Sequence, residues 1–290
     1  MIVHLPVMVK EVMEVLNVNP GGIYVDATVG LGGHAEKILG LLHAGGRIVG
    51  IDRDERALKM AHETLRDERV FLMKGKFSEM GSLVKETGIE KVDGVLFDFG
   101  VSMMQLRDPD RGFSFHSEER LDMRMDRSQR LTAEEIVNTY PEKTMERILE
   151  VYGEERFARK IAKAIVTYRM KKRIVTCAEL AGIVSTVYRK RGKIHPATKA
   201  FQALRIAVNN EITEIIHGLE ESLDLLKPGA RLCTISYHSL EDGTVKNFLR
   251  DSQRNGLVRV LTKKPLSPSY DEVRLNPSSR SAKLRGAERL

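Results

Sequence analysis

GIYVDATVGLGGHAE, residues 22–36, is the stretch whose reading decides the fold. A β-prone run, Ile23-Tyr24-Val25, leads through Gly30, Gly32 and Gly33 into a helical pattern. Strand, glycine turn and helix in that order make a nucleotide-type binding loop. Glycine lets the backbone approach a ligand closely, and a helix N-terminus offers unpaired N–H groups. Gly30 to Ala35 fits G-x-G-x-x-A, the dinucleotide fingerprint, and a tight structural turn is the alternative reading.

Working outward, Val9 to Leu16 reads as a first helix, and His34 to Leu42 as a second that ends at Gly45-Gly46. Apolar strands are expected over 47–51, 70–73 and 92–97, with a helix over Leu58 to Leu65 and a loop and short helix over Phe77 to Lys85. Such alternation argues for an α/β fold, a mostly parallel sheet with helices on both faces. Ligands in such sheets sit beyond the carboxyl ends of the strands, where Gly32, Asp52, Phe77 and Asp98 all fall.

The alternation then stops. The next strand-like run is 231–236, after a helix ending at Lys227-Pro228-Gly229. The residues between read almost entirely as helix. Thr132 to Glu135 and Thr176 to Glu179 are T-x-x-E capping boxes, and Phe157, Ile161, Ile165 and Tyr168 share one helical face. The expected organisation is a discontinuous sheet domain, residues 1–105 and 211–290, with an inserted helical domain, residues 106–210. Beyond it, HSLEDGTVKNFL begins a helix with Ser239 and Asp242 at capping-box spacing, and Leu257 to Thr262 reads as a strand. The tail from Pro265 shows no clear periodicity before Ser281.

Charge separates the two parts. Residues 106–210 hold 22 Lys and Arg against 14 Asp and Glu, a net of +8, whereas the other residues hold 25 against 26, a net of −1. The whole excess behind the formal charge of +7 therefore lies in the insertion. Arg156 to Arg173 contains eight basic residues and no acid, and Arg189 to Lys199 five more, again with no acid. That pattern suits phosphate contacts, the alternative being a solvated helical face. Aromatics interleaved among these cations are sparse, which favours shape and backbone recognition of folded RNA over base stacking along a strand.

No long apolar run occurs near the N-terminus, so neither a membrane span nor a signal peptide is expected, and a cytoplasmic location is. Cys177 and Cys233 lie far apart without a C-x-x-C partner and read as reduced thiols. The eight histidines show no metal-ligand spacing, so no metal is expected.

Asp52 lies twenty residues past Gly32, where a carboxylate can accept both hydroxyls of a ribose. A nicotinamide dinucleotide and S-adenosylmethionine both carry that ribose. Asp26, in D-x-T-x-G-x-G-G, favours the second, because an acid beside the loop suits a sulfonium and repels a pyrophosphate. Asp98-Phe99-Gly100-Val101 occupies the strand end where amino-methyltransferases carry D/N-P-P-aromatic, although both prolines and the last aromatic are missing. An acceptor there can orient an exocyclic amine. Asp98 and His238 are the candidate catalytic residues; the alternative for His238 is a hydrogen-bonded structural histidine. Phe99, Phe113 and Tyr237 are candidates to stack on a base. Ser236-Tyr237-His238-Ser239 is not read as a Ser–His nucleophile, since no G-x-S-x-G elbow is present and Ser239 suits a helix cap.

The motifs HLPV, DATVGLGGHAE, GIDRD, DGVLFDFGVSMMQLRDPDRGFSF, LDMRM, YGEERFARKIAKAI, HPATKAFQALRIAVN, PGARLCTISYHSLED and NPSSRSAKLRGAER follow in order along nearly the whole chain. Together they resemble the RsmH/MraW family of bacterial small-subunit ribosomal RNA methyltransferases, specific for cytosine N4. The likeness departs from the usual pattern at Phe99 (Leu), Met103 (Ser), Arg107 (Asp) and Tyr237 (Phe). It implies a class I methyltransferase fold, S-adenosyl-L-methionine as cofactor and methyl transfer to a cytidine in the decoding region of 16S rRNA. It also implies a cofactor pocket of Gly32, Gly33, His34, Asp52, Phe77, Asp98 and Gln105. Of these, Phe77 and Gln105 come from the resemblance and not from spacing. The partner is then 16S rRNA or the small ribosomal subunit, with oligomeric state left open. A nicotinamide-dependent oxidoreductase and a non-catalytic RNA-binding factor are the competing classes.

Overall fold

The computed structural model describes residues 5–115, 117–188 and 195–290. His4 of the HLPV motif, and residues 189–194 of the second basic run, lie outside them. The chain divides into two compact units, Met1–Gly100 with Ile212–Leu290, and Val101–Glu211.

The elements run α1 (Val9–Leu16), β1 (Ile23–Asp26), α2 (Gly33–Leu39), β2 (Arg47–Asp52), α3 (Glu55–Thr64), β3 (Val70–Lys74), α4 (Met80–Glu86) and β4 (Val92–Asp98). The second unit then supplies α5 (Met103–Arg107), α6 (Ala133–Thr139), α7 (Glu142–Gly153), α8 (Ala158–Arg169), α9 (Cys177–Thr186) and α10 (Thr198–Asn209). The chain returns through α11 (Glu211–Leu225) to β5 (Leu226–Ser236), α12 (Ser239–Arg254), β6 (Val258–Val260), α13 (Tyr270–Leu275) and β7 (Lys283–Arg289).

In the first unit the strands form one sheet in the order β3-β2-β1-β4-β5-β7-β6, with β7 antiparallel to both its neighbours. The other pairings, β3–β2–β1–β4–β5, are parallel. This is the class I methyltransferase arrangement. Successive residues of a strand point to opposite faces, so Val25, Val49, Val95 and Phe97 enter one apolar cluster while Tyr24, Ile48 and Leu96 enter the other. Near-continuous apolar strands are the consequence of burial on both faces. The order of connection reverses between β1 and β4, which lie side by side. Asp26 ends the first and Asp98 the second, so the two acids reach the same switch point.

Strand β5 starts earlier than its apolar pattern suggests. Lys227-Pro228-Gly229 lies within it, where the pairing with β4 shifts register between Val92 and Gly94. Strand β7 lies in the tail that showed little periodicity. It carries Lys283, Arg285, Glu288 and Arg289, yet sits between two strands. Its charges are neutralised by partners distant in sequence: Arg285 Nε donates to Asp242 Oδ1 at 2.7 Å, and Glu288 pairs with Arg231 and Arg259, each at 2.8 Å.

The second unit has its own core, including Ile136, Leu149, Ile161, Ile165, Leu180, Phe201 and Leu204. Phe157 and Tyr168 pack against it from the same face of α8. Thr176 and Glu179 close a reciprocal cap on α9, and Thr132 caps α6 through the Glu135 N–H. The LDMRM stretch packs Leu121, Met123 and Met125 inward and is pinned by Asn209, which accepts from Met125 N and donates to Met123 O, both at 2.8 Å. Cys177 and Cys233 are free and buried, one in each unit; burial pushes the Cys177 thiol up to about 12.

Candidate active site

The first unit gathers Asp26, Asp52 and Asp98 at the carboxyl ends of β1, β2 and β4. The glycine loop connects them. Thr28 N donates to Asp26 Oδ1 at 3.2 Å, and the Thr28 hydroxyl accepts from Asp98 N at 2.7 Å. Asp52 accepts from Gly30 N at 3.0 Å and from Asp54 N at 2.8 Å, one on each oxygen. The N-cap of α3 is Asp54 and not Asp52, so the strand-end carboxylate serves the loop. Gly32 is required twice over: its φ is +87°, and a Cβ there would lie 2.9 Å from Leu65.

Asp26 is 1% exposed. Burial pushes its carboxyl up to about 6, with Asp98 and Asp52 adding to the rise while His34 and the Thr28 N–H oppose it. Asp52 is likewise raised, burial being the largest cause. Three acids sharing a small volume disfavour full ionisation unless a cation joins them.

His34 is buried, with Nε2 2.8 Å from the Val7 carbonyl. A carbonyl only accepts, so Nε2 carries a proton, and Nδ1 faces Asp98, 3.8 Å from Oδ2. Phe77 follows β3 in a short 3-10 turn and meets Phe97 and Phe99 edge-on, at 5.6 and 5.9 Å between ring centroids. A Cβ on Gly218 of α11 would fall 2.5 Å from the Phe77 ring, so that glycine makes room for it.

The other candidates separate. Phe99 is buried and stacks on Phe97 at 5.2 Å, and Phe113 belongs to the core of the second unit; both are packing residues. Tyr237 donates its hydroxyl to Asp98 Oδ1 at 2.8 Å. His238, not Ser239, caps α12: its Nδ1 accepts from Glu241 N, and its Nε2 lies 3.0 Å from Glu241 Oε1. Ser239 is the first residue inside the helix, because the H-x-x-E spacing satisfies the box one residue earlier. Gln105 falls in the second unit, where it forms a capping box with Ser102 at the start of α5.

Two contacts around these residues escaped the sequence reading. Thr28, in the turn that follows β1, bridges the loop to Asp98 through its hydroxyl. Glu241, 0% exposed, accepts from Tyr237 N at 2.7 Å and His238 N at 3.3 Å, and so fixes the turn carrying both side chains. An open groove of about 910 Å³ beside α4 and α11, lined in part by Gly81, Lys85, Glu221 and Asp224, contains none of the candidate residues.

In the second unit, Arg156, Arg159, Lys160 and Lys163 are exposed along α8 and the residues before it, and none has an ion-pair partner among the described residues. Arg156 and Lys160 lie over the Phe157 ring at 4.6 and 5.6 Å. Farther along the chain the cations are engaged, Lys172 by Glu179 and Arg173 by Glu134. No described helix is long and apolar enough to cross a membrane.

Comparison with known proteins covers the whole chain. A model described as the MraW methylase family matches residues 1–290. A protein named ribosomal RNA small subunit methyltransferase H from a Sulfurihydrogenibium species is 48% identical over 295 residues, covering 100% of both chains. The protein of the same name from Persephonella marina is 50% identical over 295 residues with the same coverage, and that from Caldicellulosiruptor bescii 45% identical over 304 residues, covering 99% of each.

Proposed function

The chain belongs to the MraW methylase family, and on that premise we propose that it transfers a methyl group from S-adenosylmethionine to the N4 amine of a cytidine in the decoding region of 16S rRNA. The observation that carries the cofactor half is the cluster of Asp26, Asp52 and Asp98 around a glycine loop. The residues fit that cofactor by charge. A buried acid raised to about 6 is stabilised in its ionised form by a neighbouring cation, and this cofactor brings both a sulfonium and an ammonium group. A dinucleotide pyrophosphate would meet three carboxylates instead.

Asp52 keeps spare lone pairs on both oxygens for ribose hydroxyls, since each has one backbone donor. Gly33 and His34 begin α2 behind Gly32 as its N-cap; no side chain caps it, so the amides of Gly33 and His34 would serve the methionine part, the Gly32 N–H being donated to Val29 O at 2.7 Å. Phe77 would offer its ring to the adenine. Gln105 enters on its motif alone.

When bound, the cofactor supplies a methyl group on an electron-poor sulfur. A cytosine amine is a poor nucleophile because its lone pair is delocalised into the ring. The protein's part is therefore alignment: an acceptor at Asp98 holds the N–H and draws density toward nitrogen as the bond forms. The target base must leave its stack to reach such a site.

The second half of the reading rests on the exposed cations of α8, which suit the phosphates of folded RNA. Incubation with labelled cofactor and either free 16S rRNA or small subunits, followed by mass spectrometry of the nucleosides, tests both halves. N4-methylcytidine is expected; its absence with both substrates would remove the reading.

A further inference from the structure

Of the groups surrounding Asp98, Tyr237 is the one whose role the methyl-transfer reading leaves unassigned. Its hydroxyl reaches Asp98 Oδ1 across 139 residues of sequence. The turn that delivers it is rigid: Glu241, fully buried on α12, accepts from both Tyr237 N and His238 N. On the other side Gly100 turns the chain with a φ of +104°, and a Cβ there would stand 3.7 Å from the tyrosine ring. Asp98 is thus held at its backbone N–H by Thr28 and at one carboxylate oxygen by Tyr237, with Oδ2 toward His34.

We propose that Tyr237 is a positioning residue that sets the orientation of Asp98, without itself touching the target base. The inference rests on the methyl-transfer reading for its catalytic consequence. Burial, and next the Asp98 carboxylate, hold the Tyr237 hydroxyl well above its usual range, so it stays a proton donor at neutral pH. The groups facing this pair are mostly acidic. Asp26 on β1 and Asp52 on β2 lie on the loop side, and Glu241 and Glu272 act on the tyrosine from α12 and α13. His34 stands 3.8 Å away, and the Cys233 thiol on β5 feels the same carboxylate. A carboxylate tied at Oδ1 loses rotational freedom, which leaves Oδ2 aimed at one place.

Tyr237→Phe keeps the ring and removes only the hydroxyl. Loss of a hydrogen bond to a charged group predicts a fall in kcat of about tenfold or more, with KM for RNA changed much less. In an Asp98→Asn background the same substitution adds no further loss, because the partner is already altered. An additive loss, or an unchanged kcat, would overturn the proposal. Calorimetric titration of S-adenosylmethionine into the wild-type protein reads cofactor binding independently of turnover. Wild-type protein that binds the cofactor yet methylates no RNA would instead overturn the function reading alone.

Discussion

The two units hold charge in opposite ways. At the strand ends of the first, three acids are packed close together, largely buried, and each engaged by fixed donors from the loop or from Tyr237. Along α8 of the second, Arg156, Arg159, Lys160 and Lys163 stand exposed with no ion-pair partner among the described residues. Few charges held in low dielectric select a small cation of defined shape, since each is worth far more than in water. Many charges held in solvent give affinity for a polyanion, little geometric selectivity and a strong dependence on salt. The difference teaches that net charge is a poor guide to either site. The acids that define the first belong to residues whose summed charge is only −1.

The contrast breaks most sharply at Asp98. Replacing it with alanine should cut turnover by about a hundredfold or more if it is an oriented acceptor, measured by transfer of labelled methyl; unchanged turnover would reduce it to a structural acid. Next comes the exposed face. Reversing charge at Arg159, Lys160 and Lys163 together should lower RNA affinity by tens of fold and reduce the slope of log affinity against log salt by about 2 to 3. Cofactor affinity should not change, and an unaltered salt slope would make those residues a solvated surface.

Asp26 sharpens the comparison through pH. Its carboxyl is raised from 3.8 to about 6 in the folded chain, and a cationic ligand prefers it ionised. Cofactor affinity should therefore rise by about tenfold between pH 5 and pH 7, and Asp26→Asn should flatten the curve. Without cofactor the sign reverses. The folded chain holds that proton more tightly than the unfolded chain, so its contribution to stability is present below about pH 4 and is lost as pH rises through about 6. The smallest effect belongs to the second unit's scaffold. Thr176→Ala removes the cap of α9 and should lower stability by about 1 kcal/mol in urea denaturation. Methionine-donor binding by the other unit should be untouched.

Much of this was legible in the residues. The α1 bounds, the first four strands and the strand-end placement of Asp52 and Asp98 all follow from periodicity and glycine punctuation, because local sterics and burial act within a few residues. Strand β7 was not legible. A run reading KLRGAER becomes an interior strand only because Asp242, Arg231 and Arg259 neutralise it, and because Gly286 lets Val15 of α1 pack closely on its backbone. The cap of α12 was misassigned to Ser239 for a local reason: serine is the better cap by propensity, yet the buried Glu241 fits the box to His238.

What this chain's residues determine alone is the type and order of its elements, the glycine loop and the location of its positive charge. Those depend on side-chain period, backbone freedom and composition, which are local quantities. Which groups meet is a different matter. Thr28 on the Asp98 N–H, Tyr237 on the Asp98 carboxylate and Phe77 beneath Gly218 join positions 70, 139 and 141 residues apart. Only the folded sheet brings them together, because its switch point converges strand ends that the chain itself keeps far from one another.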